Sequence, residues 1–278
     1  MLREKAPYLL LGIGTIGLLV LPIIVEKFLR KIKMVRPNFQ GKEIPVGFGL
    51  FPILWSVPLF IALGFLKREE QHIYSCFAIL IGGMGLLGFI DDRWGDRTST
   101  GLRGHFKRFI DGEITTGFVK AAGGIALSIC VFRYSLDQNW STSIVSGTIV
   151  ALSANMLNLL DLRPGRASGS FLTVSFLLTA VMVFRHHIII QLVLLLVPVI
   201  VLHERDSRAR AMMGDTGSNS LGAALGLAAT LLFPSWLAHG IMLSVLIALH
   251  LVAEKISFTK VIAANPFLSR MDKLFGIR

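Results

Sequence analysis

Three short polar stretches interrupt an otherwise apolar chain, and each carries side-chain oxygens that could bind a cation or a phosphate group. "GLLGFIDDRWGD" ends an apolar run in two adjacent aspartates, Asp91 and Asp92. "SANMLNLLD" carries Asn155, Asn158 and Asp161, and "MMGDTGSNS" carries Asp215. Each has a plain structural explanation. Asp91 and Asp92 could simply end a helix in water, although carboxylates at a helix C-terminus oppose its dipole. The asparagines could link neighbouring helices. The Asp-Thr-Gly-Ser run could cap a helix. Asn155, Asn158 and Asp161 recur at every third position. That step turns about −60° and rises about 4.5 Å, so neighbouring members share a helix face. Together the stretches fit one site better than three separate structural roles, because polar groups at membrane depth are costly and usually functional. Carboxylate and amide oxygens suit Mg2+, which binds through one or two carboxylates plus substrate phosphates. The arginines and lysines around them suit phosphate. The chemistry expected is metal-assisted phosphoryl transfer on a lipid substrate.

The elements that hold these residues are written in the composition. The 278 residues are 53% hydrophobic and 16% charged, with a mean hydropathy of +0.67. A soluble domain carries charge nearer a quarter of its residues. Here the apolar residues come in blocks long enough for transmembrane helices. The expected fold is all-α, a polytopic helix bundle of about nine spans over blocks 7–26, 45–66, 73–90, 112–132, 142–160, 169–184, 188–203, 218–233 and 239–254. Open sheet is excluded in lipid. The first block is read as a retained helix, since a basic stretch follows it and it lacks a small-x-small cleavage site. No linker or internal repeat divides residues 1–278, so one integral-membrane domain is expected. Cys76 and Cys130 lie inside apolar blocks and are expected to be buried thiols.

The net charge of +11 belongs to short loops, which is an orientation signal rather than a nucleic-acid signature. One set of alternate loops holds 21 lysines and arginines and the other holds 6, with Lys120 inside the fourth block. The positive-inside rule places the richer set in the cytoplasm, the N-terminus outside and the C-terminus inside. All three polar stretches then reach the cytoplasmic face of the cell membrane at one level. Lys120 lies about nine residues into its block. Its long side chain could snorkel to the interface; the expectation is that it faces a lipid-phosphate groove with its charge paired there.

"GFIDDRWG", "NMLNLLD" and "MGDTGS", in this order, resemble the polyprenyl-phosphate N-acetylhexosamine-1-phosphate transferases. "RPNFQGKEIP" (36–45) and "GLRGHFKRFIDGEITTGFVK" (101–120) extend the likeness over about residues 34–226. The resemblance implies transfer of a sugar-1-phosphate from a UDP-sugar to polyprenyl phosphate, such as undecaprenyl phosphate, with release of UMP in cell-envelope glycan synthesis. By position, Asp215 and Asn158 would hold Mg2+. Asp91 or Asp92 would take the lipid-phosphate proton or orient that phosphate, and Lys107 would hold it. Asp161 would sit near the nucleotide. Asn155 and Lys120 are further substrate-binding candidates. Asp91 and Asp92 would face Mg2+ and Lys107, which would offset their repulsion. A homodimer is among the assemblies such a bundle allows.

Two features depart from the family. Pro164 stands where a polar residue near uracil is usual. The ninth block runs into "ALHLVAEKISFTKVIAANPFLSRMDKLFGIR" rather than a His- or Arg-rich loop followed by a tenth span. His250 in that run is expected to be a packing residue. The alternative expectation is a non-catalytic relative that binds polyprenyl phosphate or scaffolds an envelope-synthesis complex. A secondary transporter ranks last, because its acidic residues belong near the bilayer midplane.

Overall fold

The computed structural model describes residues 2–95, 108, 110–181 and 186–277. Its long helices are α1 (Leu2–Lys31), α2 (Leu50–Leu66), α3 (Gln71–Trp94), α4 (Thr116–Cys130), α5 (Trp140–Leu160), α6 (Arg166–Val181), α7 (His186–Ser207), α8 (Gly214–Leu232) and α9 (Trp236–Lys255). Two short helices follow, α10 (Phe258–Ala264) and α11 (Pro266–Phe275). The all-α expectation agrees with this architecture. Among the described residues, five helical segments are long and apolar enough to cross a membrane: Gly12–Lys31, Arg68–Trp94, Thr116–Ser135, Trp140–Leu160 and Trp236–Lys255.

Polar residues at the ends of the apolar blocks start the helices. Thr115 Oγ1 accepts from the Phe118 amide and caps α4, Asn139 Oδ1 accepts from Thr142 and caps α5, and Ser235 Oγ accepts from Ala238 and caps α9. Each satisfies an amide that the helix itself leaves without a partner.

α8 is the axis of the assembly and is buried along nearly its whole length. Small residues let its neighbours approach. A Cβ on Gly222 would stand 2.5 Å from the Ser153 carbonyl oxygen of α5, and one on Gly226 would stand 2.8 Å from Val150 Cα. Close backbone contact of this kind drives helix association in lipid, where burial of apolar surface contributes little. Three hydroxyls on α8 answer to backbone carbonyls: Ser218 donates to Gly214, Ser220 to Thr216 and Ile81, and Thr230 to Gly226.

Two sequence expectations need correction, and one element is additional to them. A small hairpin, β1 (Val35–Pro37) with β2 (Glu43–Pro45), follows α1, with Arg36 opposite Ile44. Asn38 Oδ1 ties its turn by accepting from the Gln40 and Lys42 amides. The hairpin lies in the loop between α1 and α2, so the exclusion of open sheet from lipid does not apply to it. The second helix begins at Leu50 rather than at 45, because residues 45–49 form a short bridge and a turn that pair with 212–213: Met212 donates to Pro45, Phe48 to Met212 and Gly49 to Met213. Cys130 is exposed although Cys76 is buried. It lies at the end of α4, on an outer face where an apolar environment needs no protein cover.

Candidate active site

Adjacent aspartates on a helix point about 100° apart, and α3 uses that divergence. Asp92 turns toward the start of α8. Its Oδ1 accepts from the Asp215 amide at 3.0 Å, and its Oδ2 accepts from the Thr216 amide at 2.9 Å and from Thr216 Oγ1 at 2.6 Å. A carboxylate there satisfies two orphan amides and meets the positive end of the helix dipole. Gly214 makes the approach feasible. Its φ is +72°, and a Cβ would lie 2.6 Å from Asp92 Oδ2.

Asp91 turns instead toward α4. It accepts from Thr116 Oγ1 at 2.6 Å and from Lys120 Nζ at 2.7 Å. The Lys120 ammonium also pairs with Asp215 Oδ2, which accepts in addition from Asn158 Nδ2 at 3.2 Å. Lys120 therefore joins residues from α3, α4 and α8, and Asn158 joins α5 to them. The two carboxylates have separate partners: α8's N-terminus for Asp92, and Lys120 with Thr116 for Asp91. Lys107 lies outside the described residues. Thr116 and Thr216 belong to this network and were not singled out in the sequence. The only signal for them was their place next to residues that were.

Asp161 caps the end of α5, with its amide donating to the Asn158 carbonyl at 3.0 Å. Withdrawal from water, reinforced by Asp206, Asp215 and Asp92, raises its carboxyl well above the usual carboxylate range, while an interaction with the Gly214 amide opposes that shift.

Two spaces adjoin this network. An apolar groove of about 590 Å³ runs between α4, α5 and α9; Lys120, Asn155 and Asn158 line one part of it, and Gly124, Ile125 and Leu152 another. A cavity of about 250 Å³ is lined by Asp92, Asp161, Asp206 and Asp215 together with Arg36, Arg163 and Pro164. Asn158 on the groove side and Asp215 on the cavity side are hydrogen-bonded to each other. His250 also borders the groove. It is buried, with Nδ1 donating to the Leu246 carbonyl at 2.7 Å, an anchor within its own helix.

Among the described residues no group of three or more His, Cys, Asp or Glu side chains is arranged to hold a metal. The donors that converge are of another composition. They are the Asp215 and Asp91 carboxylates, both paired with Lys120, and the Asn158 amide, whose Nδ2 donates to Asp215. Such oxygen donors fit Mg2+, which keeps several positions for water or substrate phosphate.

The glycosyl transferase family 4 model matches residues 74–233, which hold all but the first three residues of α3, the whole of α4 to α8 and the whole carboxylate network. The chain belongs to that family. It is 26% identical over 240 residues to a phospho-N-acetylmuramoyl-pentapeptide-transferase of Chlorobaculum tepidum, a match covering 74% of this chain and 64% of that protein. It is likewise 26% identical over 264 residues to the phospho-N-acetylmuramoyl-pentapeptide-transferase of Buchnera aphidicola subsp. Acyrthosiphon pisum, covering 82% of this chain and 73% of that one. The match thus leaves about a third of the first relative's length without a counterpart here.

Proposed function

We propose that the protein transfers a sugar-1-phosphate from a UDP-sugar, a UDP-N-acetylhexosamine in the simplest case, to a polyprenyl phosphate at the cytoplasmic membrane face. One observation carries this reading: an apolar groove and a polar, arginine-bearing cavity flank the same Asp215–Asn158 contact. A lipid phosphate and a water-soluble nucleotide sugar need such different approaches to one point. In the step, a non-bridging oxygen of the lipid phosphate attacks the β-phosphorus of the donor. The bond from that phosphorus to the bridging oxygen breaks, and UMP leaves with the electron pair. Lys120 at the groove end holds the lipid phosphate. Asp91, hydrogen-bonded to Lys120 and Thr116, is placed to take a proton from the attacking group. Asp92 fixes the α8 N-terminus, and with it Asp215. Asp215 and Asn158 are the residues that would hold Mg2+, which supplies charge neutralisation for the transferring phosphate. Positioning and electrostatics dominate phosphoryl transfer.

The purified protein, given undecaprenyl phosphate, Mg2+ and a panel of UDP-sugars, is expected to release UMP with at least one of them. Absence of UMP from the whole panel would favour the non-catalytic, scaffolding alternative.

The metal assignment has a test that does not depend on turnover. Lys120→Met keeps the apolar stem and removes the cation shared by Asp91 and Asp215. Its thermal midpoint is expected to fall, since a partly buried carboxylate pair loses its counter-charge, and added MgCl2 is expected to recover part of the loss. A midpoint insensitive to MgCl2 would remove Mg2+ from this position.

The topology belongs to the same proposal: nine spans formed by α1 to α9 within one membrane domain, the N-terminus outside and the C-terminus inside. A C-terminal alkaline-phosphatase fusion is expected to be inactive in cells. An active fusion would invert the orientation and put the carboxylate network on the wrong side for a cytoplasmic donor.

A further inference from the structure

We propose that the segment after α11, anchored by the helix pair α10 and α11, forms a built-in wall of the polar cavity through Ile277 and sets the affinity for the nucleoside diphosphate part of the donor. The inference rests on the reading of that cavity as the donor site.

Three contacts seat the pair, and the residues just after it, against the start of α6 and the end of α7. The first is ionic. Arg166, 3% exposed, donates through Nε to Asp272 Oδ1 at 2.7 Å and through Nη2 to Oδ2 at 3.0 Å, and through Nη1 to Thr259 Oγ1 at 3.0 Å. One guanidinium thus ties α10 and α11 to α6 with the planar fork that suits a carboxylate. The second is steric. A Cβ on Gly165 would fall 1.9 Å from the Phe275 carbonyl oxygen, and one on Gly169 would fall 2.6 Å from the Phe275 ring. The third is a backbone bond, the Ile277 amide donating to the Ser207 carbonyl at 2.9 Å.

The consequence lies at the cavity. Ile277 lines it together with Pro164, Leu162 and Phe39, and the aspartates, Arg36 and Arg163 line the same cavity. These apolar residues form a face that suits a flat base, and the arginines suit a diphosphate. Pro164 has no side-chain hydrogen bond to give, so on this side the base is held by contact area. Contact area needs a wall that stays in place, and the buried Arg166–Asp272 pair keeps it there.

The test uses the full chain in a Cys130→Ser background, because Cys76 is buried and only Cys130 is exposed. Ile277→Cys is labelled with a hydrophilic maleimide with and without UDP. UDP is expected to slow labelling, and undecaprenyl phosphate is not. Equal rates with and without saturating UDP overturn the proposal. In parallel, Asp272→Ala is expected to raise the KM for the UDP-sugar about tenfold, equivalent to about 1.4 kcal/mol, with the KM for polyprenyl phosphate unchanged and with Asp272→Glu recovering part of the loss. A loss shared equally by both substrates would mark α11 as a general stabiliser and overturn the proposal. The labelling arm requires no turnover. Protection by UDP without UMP release keeps the wall and removes the transferase reading; UMP release without protection does the opposite.

Discussion

Asp215→Asn is expected to lower UMP release at saturating Mg2+ by about 10²–10³-fold, the usual cost of losing one well-placed electrostatic stabiliser. Asp215 Oδ2 is where Lys120 and Asn158 converge, and its amide is held by Asp92. The substitution is isosteric and leaves that amide untouched, so α8 should still start at Gly214. What it removes is the negative charge facing Lys120 and the hard anionic ligand for the metal. The thermal midpoint should therefore change far less than the rate. Near-wild-type UMP release would sink the assignment of Asp215 to the metal. By contrast, His250→Ala should leave the rate within a fewfold, because that imidazole is tied to a carbonyl of its own helix.

Gly88→Ala is the second substitution with a large expected effect, and it acts through packing. A Cβ at this position would stand 2.2 Å from the Asp215 carbonyl oxygen, 2.5 Å from its carbonyl carbon and 2.7 Å from the Thr216 amide nitrogen. All three are backbone atoms, so no side chain can swing aside; α3 and α8 must separate. Overpacking of this kind costs about 1–3 kcal/mol and sometimes more. The separation falls one turn from Asp91 and Asp92, and a misplacement of about 1 Å can cost about 10²-fold in rate. Loss of both stability and activity is expected, read from thermal unfolding in detergent alongside UMP release. Unchanged stability would show that α3 and α8 do not approach at Gly88.

Much of the site was legible along the chain. Asp91, Asp92, Asn158, Asp161 and Asp215 stand out because oxygen-bearing side chains at the ends of apolar runs are expensive, and the structure gathers Asp91, Asp92, Asn158 and Asp215 into one network with Lys120. Lys120 was visible for the same reason, a charge inside an apolar block. Thr116 and Thr216 were not, since a threonine is unremarkable in a helix until its partner is known. The helix pair at residues 258–275 was not anticipated either. Its contacts are with α6, about a hundred residues away, and no local pattern encodes such a distance.

Hydropathy, side-chain chemistry and loop charge thus determined the helical class and the residues that could carry chemistry, because each is a property of a residue and its near neighbours. The partners were decided only by the tertiary structure. Asp91 and Asp92 are adjacent in sequence yet serve different helices, since one residue of helix rotates a side chain by about 100° and only the packing of α4 and α8 on α3 puts Lys120 on one side and an open helix N-terminus on the other. The approach that allows this depends on glycines such as Gly88 and Gly214, where the absence of a Cβ lets one backbone reach another element at a distance that a larger residue would forbid.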